Sequence, residues 1–180
     1  AVDPVLTYTV GGLQASDTAV TVLTGTLTRV AGEAVGGYAI SQGSLVANGN
    51  YTINFTGNTL GITPATLSVA ANAQSKVYGA ADPTLTYTVG GLQAGDTAAT
   101  VLTGTLTRAA GEVVGGYVIS QGSLVANGNY TINFTGNTLS ITPATLTVTA
   151  AAKSKTYGQT MTSDGTTASS DLTVVGLRFT

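Results

Sequence analysis

The 180-residue chain repeats itself with a period of 79: Asp3-Pro4 returns at Asp82-Pro83, and Asn50-Tyr51 returns at Asn129-Tyr130. Between residues 3–79 and 82–158, only 12 of 77 aligned positions differ. Most differences exchange small residues, such as Ser16 for Gly95, Ala34 for Val113, Ala39 for Val118 and Gly61 for Ser140. These swaps barely alter packing volume, so both copies are expected to adopt one fold. A period of this length suffices for one small domain per copy. Ala65-Thr66-Leu67-Ser68-Val69 alternates apolar and polar residues after Pro64 and reads as the strand that opens a unit. The expected units are therefore 1–64, 65–143 and 144–180. The first starts beyond the equivalent of Lys76-Val77-Tyr78-Gly79 and is expected to lack its opening strand. The second is complete. The third keeps Lys155-Thr156-Tyr157-Gly158, loses Asp-Pro and stops short, although Leu172 to Leu177 is similar to Leu85–Leu92.

Within the complete unit apolar residues alternate at period two: Leu67/Val69/Ala71, Leu85/Tyr87/Val89, Leu102/Gly104/Leu106, Tyr117/Ile119, Tyr130/Ile132/Phe134 and Leu139/Ile141. The residues between them are largely Thr, Ser and Asn, which suit a wetted pleated face. Turn signals at Gly90-Gly91, Gly95-Asp96, Gly111-Glu112, Gly115-Gly116 and Asn127-Gly128-Asn129 separate the runs. This pattern predicts an all-β chain of tandem small antiparallel domains with about six strands each. A helix is possible only around Asp96 to Leu102. Neighbouring units meet through a single proline, as in Ile141-Thr142-Pro143-Ala144, with no Gly/Ser tether. Fixed φ at Pro143 and extended geometry at Thr142 predict an elongated, stiff rod in which each unit adds roughly 30–40 Å.

Composition narrows the chemistry. Charged residues are 8% of the chain against about 25% in ordinary domains, and the net charge is -2, so nucleic acid is not an expected partner. Without cysteine or histidine there are no disulfides, no thiolate or imidazole metal sites, and no Cys- or His-based catalysis. No run approaches the length of a membrane-spanning helix, and an export signal is expected outside this stretch.

The ordered motifs of the complete unit are Lys76-x-Tyr78-Gly79-x-x-Asp82-Pro83-x-Leu85, Gly91-Leu92-x-x-Gly95-Asp96, Gly104-x-Leu106-x-Arg108-x-x-Gly111-Glu112-x-x-Gly115-x-Tyr117-x-Ile119, Asn129-Tyr130-x-Ile132-x-Phe134 and Leu139-x-Ile141-Thr142-Pro143. Together they resemble the MBG-type domain of the Tyr-Gly-x class, which recurs in large bacterial surface proteins including filamentous-haemagglutinin-like adhesins. The resemblance covers about residues 1–158. It implies a β-grasp-like module, with an Ig-like sandwich as the alternative, serving as a non-enzymatic stalk or spacer repeat at the cell surface or outside the cell. It carries over no catalytic residue and no cofactor.

Several residues invite a chemical reading. Asp82, Asp96 and Glu112 could gather around Ca²⁺, which takes several oxygen ligands. The simpler account gives Asp82 a turn before Pro83, Asp96 an Asx-type turn, and Glu112 an ion pair with Arg108. Glu112 with Asp96 could serve as an acid–base pair in hydrolysis, but no tryptophan is present to form a sugar platform. Asn50, Asn54, Asn129 and Asn133 head formal glycosylation triplets that strand alternation produces by itself. Lys76 or Lys155 could cross-link to Asn133; protection of a strand edge is the blander role for a lysine. Thr-x-Thr ladders at Thr24–Thr28 and Thr145–Thr149 read as solvated β-faces. Expected partners are the neighbouring repeats. Host glycans or matrix stacking on Tyr87, Tyr117, Tyr130 or Phe134 form the alternative function. The unpaired strand at the start of the third unit suggests head-to-tail self-association.

Overall fold

The computed structural model describes residues 2–14, 16–93, 95–152, 154, 156–158 and 172–175. Asp-Pro loss in the third repeat falls outside these residues. In chain order the first repeat contributes α1 (Ala19–Val22), β1 (Leu23–Thr24), β2 (Thr28–Arg29), β3 (Gly36–Ser41), β4 (Val46–Ala47) and β5 (Asn58–Ile62). The second contributes β6 (Ala65–Ala71), β7 (Gln74–Val77), β8 (Tyr87–Gly90), α2 (Ala98–Val101), β9 (Leu102–Thr103), β10 (Thr107–Arg108), β11 (Gly115–Ser120), β12 (Val125–Ala126), β13 (Tyr130–Thr135) and β14 (Asn137–Thr142). β15 (Thr147–Ala150) and β16 (Leu172–Val175) follow and pair antiparallel, so the strand at the start of the third unit is not unpaired as the sequence suggests. The chain is thus almost wholly β, as its alternation predicts.

Two expectations need correction. The run Leu102/Gly104/Leu106 is not one strand, because Gly104 adopts φ +92° and turns the chain between β9 and β10. A side chain at Gly104 would lie 2.2 Å from the Ser123 carbonyl oxygen, so only glycine fits this turn. The sheets are also not purely antiparallel. β14 pairs with β7 in parallel, Leu139 opposite Gln74 and Thr142 opposite Val77. A parallel pair needs a crossover, and nearly the whole repeat lies between its two strands.

The complete repeat builds one sheet in the order β10-β11-β14-β7 and another in the order β13-β6-β8. β11 runs antiparallel to β14 with Gly115 opposite Ile141. β6 runs antiparallel to β8 with Val69 opposite Val89. Alternate residues of these strands form the core: Leu67, Val69 and Ala71 from β6, Ile119 from β11, Leu139 and Ile141 from β14, with Val101, Leu102, Leu106, Leu124 and Tyr130. α2 is a single turn. Thr97 N–H donates to Thr100 Oγ1 at 3.0 Å and Thr100 Oγ1 donates back to Thr97 O at 2.9 Å, which closes the turn locally before β-branched Val101 leads into β9.

The first repeat reproduces the sheet β2-β3-β5, in the register of its copy, with Gly36 opposite Ile62, and the antiparallel pair β1–β4, the counterpart of β9–β12. Its core is poorer. Of its apolar side chains Val22 and Leu45 are buried, whereas Leu23, Leu27, Ile40, Tyr51, Leu60 and Ile62 are half-buried where their counterparts in the second repeat are buried.

Two compact units divide the chain: residues 1–66 with 126–131, and residues 67–125 with 132–180. Inside the first, Ala65 N–H donates to Asn129 O at 3.0 Å and Val35 N–H donates to Asn129 Oδ1 at 2.9 Å. Among the described residues no helix is long and apolar enough to cross a membrane.

Candidate functional site

Among the described residues, four charged side chains of the complete repeat close into one polar cluster. Lys76 comes from β7, Asp82 from the loop after it, Arg108 from β10 and Glu112 from the turn before β11. Arg108 Nε donates to Asp82 Oδ2 at 2.6 Å, and Nη2 donates to Asp82 Oδ1 at 3.0 Å and to Glu112 Oε1. Nη1 donates to the carbonyls of Ala109 at 2.9 Å and Gly111 at 2.6 Å. A guanidinium has five N–H groups, and here all five are used. Lys76 Nζ closes the ring by donating to Asp82 Oδ1 at 2.6 Å and to Glu112 Oε2.

The ring alternates in sign and sums to zero. Its cations are the buried members: the Lys76 and Arg108 side chains are 4% and 12% exposed, against 40% and 54% for Asp82 and Glu112. Hydrogen bonds from Arg108 first, then Lys76, hold the Asp82 carboxyl down at about 2, against an ordinary 3.8. Lys76, then Arg108, lowers Glu112 in the same way. The hydrogen bonds to Asp82, then to Glu112, raise Lys76.

This geometry restricts what the cluster can do. A hydrolytic acid needs a carboxyl whose pKa is raised so that it holds a proton, and both carboxyls of the ring are lowered. An amine held as ammonium is not a nucleophile, so Lys76 is set for ion pairing rather than amide formation, and its Nζ points to Asp82 and Glu112 rather than to Asn133. Lys155 lies outside the described residues. Asp96 lies in the turn before α2, where its N–H donates to Gln93 O at 3.0 Å. Among the described residues no three His, Cys, Asp or Glu side chains gather as a cation site would require.

The first repeat carries the same device without a lysine. Arg29 Nε donates to Asp3 Oδ2 at 2.6 Å, Nη2 to Asp3 Oδ1 at 2.9 Å and Glu33 Oε1 at 2.6 Å, and Nη1 to the carbonyls of Val30 and Gly32. In both copies a tyrosine ring backs the guanidinium, 5.3 Å away for Arg29 and Tyr38 and 5.4 Å for Arg108 and Tyr117. The Tyr117 hydroxyl donates to Val113 O at 2.7 Å. Its ring occupies the space where a side chain on Gly111 would be: a Cβ there would lie 2.2 Å from Cε1, at a φ of +142°. The spacing Arg108-x-x-Gly111-Glu112-x-x-Gly115-x-Tyr117 is therefore a packing unit.

The Tyr-Gly pair is accounted for in the same terms. Tyr78 N–H donates to Thr142 O at 2.8 Å, prolonging the parallel pairing, and Gly79, at φ +77°, turns the chain towards Asp82. The remaining candidates sit on ordinary strand and turn positions. Tyr130 is 6% exposed, and Tyr87, Tyr117 and Phe134 are half-buried. Asn129 spends its side-chain oxygen on Val35, and Asn50, Asn54 and Asn133 are exposed. On the polar faces Thr28 bonds Ser41 at 3.0 Å and Thr107 bonds Ser120 at 3.0 Å.

The contribution of Lys76 is what sequence spacing missed. The ion pair of Arg108 with Glu112 is four residues long and legible, whereas Lys76 stands 36 residues from Glu112 and meets it only through the β7–β14 pairing.

No curated protein and no solved structure matches the chain. The family model described as MBG domain (YGX type) matches residues 1–61 and again 67–140. MBG repeats are typical of extracellular surface proteins. The motifs that build the charged ring, the tyrosine-backed arginine and the Tyr-Gly turn all lie within those matched stretches, and the chain belongs to the MBG domain (YGX type) family, in two tandem copies.

Proposed function

We propose that the chain is a run of spacer repeats from a large secreted or cell-surface bacterial adhesin, each copy a non-enzymatic unit that holds a distal binding region away from the cell. The observation that carries this is the self-neutralising ring. The most charged motif residues of the family are consumed inside the repeat, where they tie β7, β10 and the two following loops together. Copying such a unit multiplies length and stiffness rather than active centres. The single proline at each repeat boundary, with no Gly/Ser tether, supports coupling without slack.

Small-angle scattering on chains of two, four and six repeats tests this. The maximum dimension is expected to grow in proportion to repeat number, by roughly 30–40 Å per unit. A dimension that levels off, as for a freely pivoting string, contradicts it. The competing function is a glycan- or matrix-binding module, which saturable binding of the whole chain to a glycan array would establish. The burial of Tyr130 and the half-burial of Tyr87, Tyr117 and Phe134 weigh against that outcome.

A further inference from the structure

Two turns carry the pair Asn-Gly, as Asn48-Gly49 and Asn127-Gly128, at equivalent places in the two repeats. Each is closed in the same way: Tyr51 N–H donates to Asn48 O at 3.2 Å, and Tyr130 N–H donates to Asn127 O at 3.1 Å. The backbone N–H of Asn50 donates to Asn48 Oδ1 at 3.1 Å, and that of Asn129 donates to Asn127 Oδ1 at 3.1 Å. Such an Asx-turn folds the side-chain carbonyl back towards the following peptide and draws electron density from its carbon. All four Asn and Gly residues are exposed. Among the described residues, no hydrogen bond engages Nδ2 of Asn48 or Asn127, or the N–H of Gly49 or Gly128. A Cβ on either glycine would meet nothing within 4 Å.

The other asparagines lack this combination. Thr59 N–H and Thr138 N–H donate to Asn58 Oδ1 and Asn137 Oδ1, each at 2.9 Å, so the nitrogen that would attack is held by the neighbouring oxygen and carries a β-branched residue. The side-chain amides of Asn72 and Asn137 donate to Thr86 Oγ1 and Ala71 O. Asn50 and Asn129 precede the tyrosines whose N–H groups close the turns, and Asn54 and Asn133 precede phenylalanine.

We propose that Asn48 and Asn127 are self-modification sites, at which the folded chain converts asparagine to aspartate and isoaspartate without an enzyme. Hydroxide takes the proton of the glycine N–H, and the nitrogen bonds to the asparagine Cγ. The Cγ–Nδ2 bond breaks, and ammonia leaves with a proton from water. Water then opens the cyclic imide. Cleavage between the ring nitrogen and Cγ gives aspartate on the original backbone. Cleavage between the ring nitrogen and the main-chain carbonyl carbon gives isoaspartate, whose backbone runs through Cβ and is longer by a carbon. At the second turn, Asn129 accepts Val35 N–H on Oδ1 at 2.9 Å and Ala65 N–H on its backbone oxygen at 3.0 Å, next to buried Tyr130. The extra carbon between Asn127 and Asn129 breaks the turn bond from Tyr130 and draws Asn129 off Val35. The conversion is thus a slow, irreversible loosening of this hold, faster as the pH rises. This inference stands independently of the spacer function.

Incubation of the 180-residue chain in mildly alkaline buffer, followed by peptide mass mapping and isoaspartate-specific methylation, tests the assignment. Conversion at Asn48 and Asn127 is expected to run at least about tenfold faster than at any other asparagine, and within about tenfold of its rate in denaturant. Gly128→Ala, whose added methyl has open space, is expected to slow conversion at Asn127 at least about fivefold and to leave Asn48 unchanged. Chains with isoaspartate at position 127 are expected to exchange the Val35 amide at least about fivefold faster, whereas Asn127→Asp, which keeps the backbone length, leaves Val35 protected. Conversion at both turns no faster than at Asn58 and Asn137, or more than about a hundredfold slower than in denaturant, overturns the proposal. Unchanged Val35 exchange in the isoaspartate chains overturns the loosening.

Discussion

Residues 51–56 and 130–135 are the same six residues in the same order, yet only the second set forms a strand. The same holds for Tyr8–Gly11 against Tyr87–Gly90. The local text is identical, so the difference comes from the partner: 130–135 shares a sheet with β6, and the first repeat has no counterpart of β6. Burial follows. Leu60, Ile62 and Ile40 are half-buried where Leu139, Ile141 and Ile119 are closed off from solvent. Strand propensity in this chain is permissive, and the central strand decides.

Matched substitutions sharpen that contrast. The largest effect is expected at the two equivalent leucines of the opening strand. Leu67→Ala, at a fully buried position, should destabilise the chain by about 2–5 kcal/mol, while Leu146→Ala should change stability by less than about 0.5 kcal/mol in the monomer. Denaturant unfolding of the two variants at low concentration measures both. Equal losses would mean that 144–150 is as well packed as β6. Next in size is Gly111→Ala, which sets a Cβ against the Tyr117 ring at a positive φ and should cost about 1–3 kcal/mol. Gly128→Ala, where nothing lies within 4 Å, is the control and should cost far less.

The charged ring gives a smaller effect that depends on pH. Asp82 has a folded value of about 2 against an ordinary 3.8, so the unfolded chain binds the proton first as the pH falls. The stabilisation from Asp82 is fully present above pH 3.8, is lost as the pH drops towards 2, and is reduced in size because its side chain is 40% exposed. Glu112 acts in the same direction. Thermal midpoints measured between neutral pH and pH 2 should therefore hold steady and then fall, and Asp82→Asn should flatten the fall. A midpoint that rises on acidification would contradict the ring. The smallest effect is expected from Asn129→Ala, which removes one hydrogen bond to Val35 and should speed exchange of the Val35 amide with little change in global stability.

Much of this architecture was legible in the residues. The repeat gave the copies, the alternation gave β6, β8, β11, β13 and β14, and Asp96 to Leu102 held the one helical turn of the complete repeat. The Arg108–Glu112 pair followed from a spacing of four. What could not be read depends on contacts distant in sequence. β7 contains Lys76 in a strand with little apolar alternation, and its parallel pairing to β14 spans most of the repeat. Lys76 therefore entered the ring unforeseen. The role of Asn129 was hidden for the same reason, since Val35 lies 94 residues away.

Amide hydrogen exchange within one molecule tests the central claim most directly, at a concentration where the chain is monomeric. Tyr51–Thr56 should exchange at rates close to those of an open segment, and Tyr130–Thr135 should be slowed by the global stability of the complete repeat. Equal, strong protection of both segments in the monomer would show that the sequence makes the strand without its partner, and would contradict the account.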